Sequence, residues 1–294
     1  MLLLKFHEAI YLEGDVRVTK RSLDSTIKYA YDEISSILNA KDSLKRVKKS
    51  TSVAAYRSSI ALKISAQTQR NVAEIAQKIV DFYGDPLVNS QEKDTSLSGR
   101  ILSDLTVSAI AGSFLEFEFG DRAIAAWLQG LTDFPDLNFS NKSWRDDFTN
   151  NSHFKSVQNG QANIFLCQYT YARCCSVLRM ALERESAVKE FPWLTEAGIL
   201  GFESESDRAL LAEMITVMDE SVATQDYLTQ DYLKWAVSLS RAFQAFYQEN
   251  QLFGKVWVKN PRLAQRRLGL VMITQWLLGS LLQEGLGIIA PDTL

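Results

Sequence analysis

The chain has 294 residues, 46% of them apolar and 23% charged, which is room for about two domains of roughly 100–200 residues, each with a core of its own. That composition excludes a disordered or collagen-like chain. Lys plus Arg number 32 against 35 Asp plus Glu, a net charge of −3, so no chain-wide positive field attracts a polyanion and any nucleic-acid contact has to come from a local patch.

Met1 to Tyr11 offers only three consecutive leucines before Lys5, His7 and Glu8, too short an apolar run for a signal peptide, so the expected setting is the cytoplasm. From Thr19 to Ala40, Leu23, Ile27, Tyr31, Ile34 and Leu38 recur at helical steps and predict an amphipathic helix. Lys41 to Lys49 sets five basic residues against one Asp and reads as a solvated connection. A second helix is predicted over Asn71 to Tyr83, with Val72, Ile75, Ile79 and Phe82 on one face and Gly84, Asp85 and Pro86 to stop it. Gln91 to Gly99 is polar and serine-rich. Beyond it the period changes to two: Leu105, Val107 and Ala109, then Phe117 and Phe119 interleaved with Glu116 and Glu118, predict two strands joined tightly at Gly112. Asp121 is placed to cap a helix from Arg122 to Leu131. Residues 1–135 therefore read as a small α+β domain.

Pro135 and a scatter of asparagines (Asn138, Asn141, Asn150, Asn151, Asn159) mark 136–160 as a linker. Residues 161–294 read as an all-α bundle, with helices predicted at Ile164 to Arg184, Asp207 to Asp219, Gln225 to Asn250 and Pro261 to Gly285. Pro261 suits a first helical turn and Gly287 a terminus. The most apolar stretch, Leu268 to Leu282, contains Gln275 and falls short of the roughly 20 residues that span a bilayer, so it reads as a buried core helix.

Charge is uneven along the bundle. Ala181 to Asp231 carries twelve acidic and three basic residues, a net of −9, whereas Gln251 to Gln283 holds Lys255, Lys259, Arg262, Arg266 and Arg267 and no acid. Phe253 and Trp257 lie among these cations, a combination able to pair with phosphates and stack on bases. The other reading is that Trp257 packs under the bundle and the charges solvate a loop.

Catalytic signals are missing from the sequence. It has no Gly-x-Gly-x-x-Gly, Gly-Lys-Ser/Thr, His-Glu-x-x-His or Gly-x-Ser-x-Gly, and its two histidines, His7 and His153, belong to no motif. Cys167, Cys174 and Cys175 have neither zinc spacing nor a disulfide framework; helical periodicity puts at least one of the last two in a core. Glu116 and Glu118 are expected on the solvated face of their strand, opposite buried phenylalanines. No cofactor and no metal are expected.

The run Gln168-Tyr169-Thr170-Tyr171-Ala172-Arg173-Cys174-Cys175-Ser176-Val177-Leu178-Arg179 resembles the opening helix of the DALR anticodon-binding domain of arginyl-tRNA synthetases. Tyr232-Leu233, Leu239 to Tyr247, Arg267-Leu268-Gly269-Leu270 and Leu286 to Pro291 follow that family's pattern in order. Tyr56 to Ile64, Val72 to Ile79, Gly112 to Phe117 and Ala125 to Leu128 resemble the same enzymes' additional N-terminal domain, which binds the outer corner of tRNA. The resemblance departs at Glu116, where an Asn is usual, at Leu166, where an aromatic is usual, and at Leu294, where a Met is usual. Only Asp133 to Gly160 stands where the family's catalytic domain would be, too little for an adenylate-forming fold.

What the resemblance implies is a non-catalytic, tRNA-binding protein without amino-acid activation. Gln168, Tyr169, Arg173, Lys255, Trp257, Lys259, Arg262, Arg266 and Arg267 are its candidate nucleic-acid contacts, and tRNA, arginine tRNA included, its expected partner. The alternative is a protein–protein adaptor that reuses the scaffold, for which Glu116, Leu166 and the acidic stretch speak. Neither reading involves a membrane.

Overall fold

The structure, a computed structural model, describes residues 44–47, 53–84, 97–133, 161–183, 191–223 and 229–294. The helix expected at Thr19 to Ala40, both histidines and the linker at 136–160 lie outside the described residues. The chain divides into two compact units, Met1–Trp127 with Ser221–Thr224, and Leu128–Glu220 with Gln225–Leu294.

The first unit holds a four-stranded antiparallel sheet in the order β1-β2-β4-β3, formed by β1 (Leu44–Val47), β2 (Ala54–Ser58), β3 (Leu105–Ile110) and β4 (Phe114–Phe119). Alternation along β4 sends Leu115, Phe117 and Phe119 to one face, where register pairs them with Ser58, Tyr56 and Ala54 on one side and Ala109, Val107 and Leu105 on the other. Helices α1 (Ile60–Thr68) and α2 (Val72–Gly84) pack on the sheet through Ile60, Ala61 and Ile64 and through Ile75, Ala76 and Ile79. Tyr83 meets Phe117 edge-on at 6.1 Å. Helices α3 (Leu97–Leu102) and α4 (Asp121–Thr132) precede and follow the β3–β4 pair in the chain.

The β3–β4 hairpin turns where expected. Ala111 and Gly112 both have positive φ, 51° and 67°, the backbone that matches the twist of the flanking strands. Three expectations need correction. The basic run at Lys41 to Lys49 is not wholly a connection, because Leu44–Val47 is an edge strand on β2; four residues are too few to show a period, and lysines suit an edge that must not recruit further strands. The helix at α4 is capped by Asp104, whose Oδ2 accepts from the N–H of Arg122 at 2.8 Å and of Ala123 at 3.3 Å. Gly120 makes room for that carboxylate: a Cβ there would lie 2.2 Å from Asp104 Oδ2. Glu116 is not solvated; it is 3% exposed, and its Oε2 receives Arg57 Nη2 at 3.3 Å from the neighbouring strand. A central strand has both faces covered more readily than an edge one, which alternation alone does not reveal.

The second unit is helical: α5 (Gln161–Glu183), α6 (Glu205–Ala223), α7 (Thr229–Glu249), the one-turn α8 (Lys255–Lys259) and α9 (Pro261–Ser280), which runs on into a π-helical turn at Leu281–Gly285. Contacts fix their directions. Thr170 meets Gln244 and Arg173 meets Tyr247, so α5 and α7 run parallel. Ser238 bonds to Glu213 and Asn250 to Ser206, so α6 opposes α7. Asn260 caps α9 by accepting from Leu263 N at 3.1 Å, with Pro261 in the first turn. Most of α9 is buried, from Leu263 and Ala264 to Leu278, and a narrow stripe of Arg262, Gln265, Met272, Trp276 and Ser280 reaches toward solvent, which is why its sequence shows little amphipathic contrast. Ile288 N bonds back to Leu282 O at 2.8 Å across Gly287, whose φ of 64° closes the helix.

Candidate nucleic-acid interface

A four-residue step on α5 sets Phe165, Tyr169 and Arg173 one above another on one face. Phe165, 60% exposed, stacks on Tyr169 with centroids 6.4 Å apart and planes 23° apart. Arg173 donates from Nη2 to the Tyr169 hydroxyl at 2.8 Å. Its guanidinium lies 5.5 Å from the Tyr169 centroid and 5.4 Å from that of Tyr247 on α7. Tyr247 in turn stacks on buried Phe243 at 5.9 Å, with planes 17° apart. The result is a ladder of four rings and one planar cation, anchored in the core at Phe243 and open to solvent at Phe165. The hydrogen bond to the Tyr169 hydroxyl, helped by Tyr247, raises the Arg173 pKa against the opposing effect of burial. Phe165 and Tyr247 were not singled out in the sequence; their signal is the four-residue spacing to Tyr169 and the parallel register of α5 and α7.

Gln168 lies beside the ladder, its Nε2 donating 2.8 Å to the carbonyl of Ile289. Arg179 likewise donates to the Asp292 carbonyl at 3.3 Å. Two side chains on α5 thus hold the C-terminal segment along the helix, and Ile289 itself is left 79% exposed.

The basic segment divides. Lys255 and Lys259 are exposed at opposite ends of α8, with half-buried Trp257 between them, 6.4 Å from Phe253. Arg262 is exposed and makes a surface ion pair with Glu196 at 3.3 Å. Arg266 and Arg267 are not phosphate contacts. Arg266, 4% exposed, donates to the carbonyls of Pro192, Leu194 and Gly201, knitting the 191–201 loop onto α9; burial lowers its pKa. Arg267, 7% exposed, forms a two-pronged pair with fully buried Asp207 at 3.1 and 3.2 Å and donates to Gln251 O. Both guanidiniums are spent inside the fold, because they lie off the narrow stripe of α9, Arg262 and Gln265 at this point, that reaches solvent.

The three cysteines are free and buried, and burial pushes every one of their thiols up. Cys175 Sγ accepts from Gln275 at 2.9 Å. Among the described residues no cluster of His, Cys, Asp or Glu could hold a metal ion, and no helix is long and apolar enough to cross a membrane.

The ladder thus joins α5 to α7 within the second unit. Residues 167–294 match the DALR anticodon binding domain family. The DALR match contains Gln168, Tyr169, Arg173 and Tyr247 and begins two residues after Phe165. Curated relatives are arginine–tRNA ligases. That of Synechococcus sp. (strain JA-3-3Ab) is 30% identical over 128 residues, 43% of this chain and 21% of that protein. Gloeobacter violaceus has one 33% identical over 122 residues, 40% of this chain and 20% of that protein. Another, from Desulfitobacterium hafniense (strain DSM 10664 / DCB-2), is 29% identical over 131 residues, 44% and 22%. The chain thus spans about a fifth of the length of the relatives it matches. What is detected is the anticodon-binding domain; the catalytic domain is not. No solved structure matches.

Proposed function

We propose that the chain binds tRNA without activating an amino acid, and that the ladder Phe165, Tyr169, Arg173, Tyr247 is where it engages unpaired bases. The observation that carries this reading is Arg173: a half-buried cation close to two tyrosine rings, inside the residues that match an anticodon binding domain. Lys255, Lys259 and Arg262 supply exposed positive charge for the phosphate backbone, and Trp257 a ring beside it. Arginine tRNA is the first substrate to try, since the relatives are arginine–tRNA ligases. In this reading residues 136–160 link an N-terminal domain, 1–135, to the binding domain, 161–294, in a cytoplasmic protein. The adaptor alternative takes over if RNA is not bound.

Filter binding of total tRNA at 50 and 200 mM salt tests the reading. Binding that weakens steeply with salt is expected, together with a loss of about 1–3 kcal/mol in Arg173→Ala if the guanidinium reads a base edge. Folded protein that shows no binding at low salt overturns it. Arginine-dependent pyrophosphate exchange is expected to stay at background.

A further inference from the structure

The sheet of the first unit has two edges, and they differ in how they are protected. Strand β1 carries Lys45 and Arg46 in its four residues, charges that discourage a further strand. Strand β3, Leu105-Thr106-Val107-Ser108-Ala109-Ile110, has neither charge nor proline and pairs with β4 residue for residue, without a bulge. Thr106, Ser108 and Ala109 are exposed and Leu105, Val107 and Ile110 half-exposed. Helix α2 packs on the face of Leu105, Val107 and Ala109, and their exposure shows that it leaves the rim of the sheet uncovered.

The backbone shows which groups point outward. Continuing the β3–β4 register puts Asp104 opposite Gly120, and the Asp104 carbonyl accepts from Gly120 N at 2.8 Å; at the other end Ile110 O accepts from Ser113 N at 3.2 Å. Both ends turn toward β4, and by the alternation of an antiparallel ladder so do Thr106 and Ser108. Leu105, Val107 and Ala109 turn their N–H and C=O groups the other way, where β3 has no neighbouring strand among the described residues.

Those three residues are centred on Val107, and the centring decides what fits. A second copy of the strand, turned about a two-fold axis at Val107, sets Val107 against Val107, Leu105 against Ala109 and Ala109 against Leu105, so every outward group finds a partner in one register. The side chains agree with it. Val107 meets its own copy and Leu105 meets Ala109 on the apolar face, Thr106 meets Ser108 hydroxyl to hydroxyl on the other, and no like charges are opposed. An axis at Ser108 instead would leave Leu105 opposite Ala111, a turn residue with φ of 51°.

We propose that β3 is a docking edge for a second copy of this chain, which joins two four-stranded sheets into one continuous sheet about a two-fold axis at Val107. The contact uses β3 on both copies and β1 is guarded by its cations, so the assembly closes as a dimer. It is independent of the tRNA reading.

Sedimentation velocity of the full chain over roughly 1–100 μM, a range suited to so short a seam, tests the proposal. Wild type is expected to pass from monomer to dimer. Thr106→Lys combined with Ser108→Lys sets lysine opposite lysine at both exposed positions and is expected to weaken the dimer about tenfold. Thr106→Glu combined with Ser108→Glu is expected to do the same, and an equimolar mixture of the two double variants to restore association. Circular dichroism checks that each stays folded, as the exposure of both side chains requires. The register is read separately from single-cysteine variants, the chain's own three cysteines being buried. Thr106→Cys and Ser108→Cys proteins are expected to form a disulfide-linked dimer on mild oxidation when mixed and not when alone, because opposite residues of such a pair have Cα atoms about 4.5 Å apart. Wild type that stays monomeric throughout overturns the proposal. So does a dimer that both charge variants leave unmoved, or a cysteine mixture that links no better than either variant alone.

Discussion

Arg267 is the charge whose loss the fold would feel most, because its partner Asp207 is fully buried and lies at the corner where α6, α7 and α9 converge. Ser204 adds a backbone N–H to the same carboxylate at 3.2 Å, and Ser206 next to it bonds to Asn250, so the pair is one part of a buried polar knot. Arg267→Met removes the two-pronged partner and strands the carboxylate; urea unfolding is expected to show a loss of about 3–5 kcal/mol. Exposed Arg262, paired with an almost wholly exposed Glu196, is expected to tolerate Ala within a fraction of that. The thiols make a second prediction. Burial raises all three, Cys174 most, so above the ordinary thiol range, about 8.5, the unfolded chain releases protons that the folded one retains. Stability therefore falls as pH rises through that range. Measured between pH 8 and 10, the fall is expected to be shallower in Cys174→Ala than in wild type.

Elements differ in how far they could be read from the sequence. Helices α2, α5, α7 and α9 and strands β3 and β4 announce themselves because each has a clear period or a long apolar run. Strand β1 and helix α1 do not: one is four residues long, the other nine with mostly small or mixed side chains, and pairing with β2 and packing on the sheet decide them. In the candidate interface Tyr169 and Arg173 were legible through resemblance, whereas Phe165 and Tyr247 needed the parallel register of α5 and α7. Arg266 and Arg267 misled because the solvent-facing stripe of α9 is too narrow to include them, and composition does not say so. Helix α8 is an element whose two cations both stand in solvent. If its two lysines meet phosphates, Lys255→Ala and Lys259→Ala are each expected to weaken binding to all tRNAs alike and to flatten the salt dependence by about one unit of slope. An unchanged slope in the double variant would remove α8 from the interface.

At the scale of the whole molecule, the ladder and the basic turn of α8 both belong to one of the two units, and so do the contacts that hold them: the Arg267–Asp207 pair, the loop carbonyls on Arg266, and the tail bonds to Gln168 and Arg179. Nothing in that set draws on the sheet of the first unit. A fragment spanning Gln161 to Leu294 should therefore fold alone, with most of α9 buried and α5, α7 and α8 packed against it. It is expected to unfold in a single cooperative transition by both circular dichroism and tryptophan fluorescence, the two probes coinciding. It should also retain the salt slope of the full chain for tRNA, since slope counts phosphate contacts. A cooperative fragment with a smaller slope would assign the missing contacts to the first unit, where Arg57 is already paired with buried Glu116. A fragment with helical signal but no cooperative transition would mean that α9 needs residues upstream of Gln161 to complete its packing.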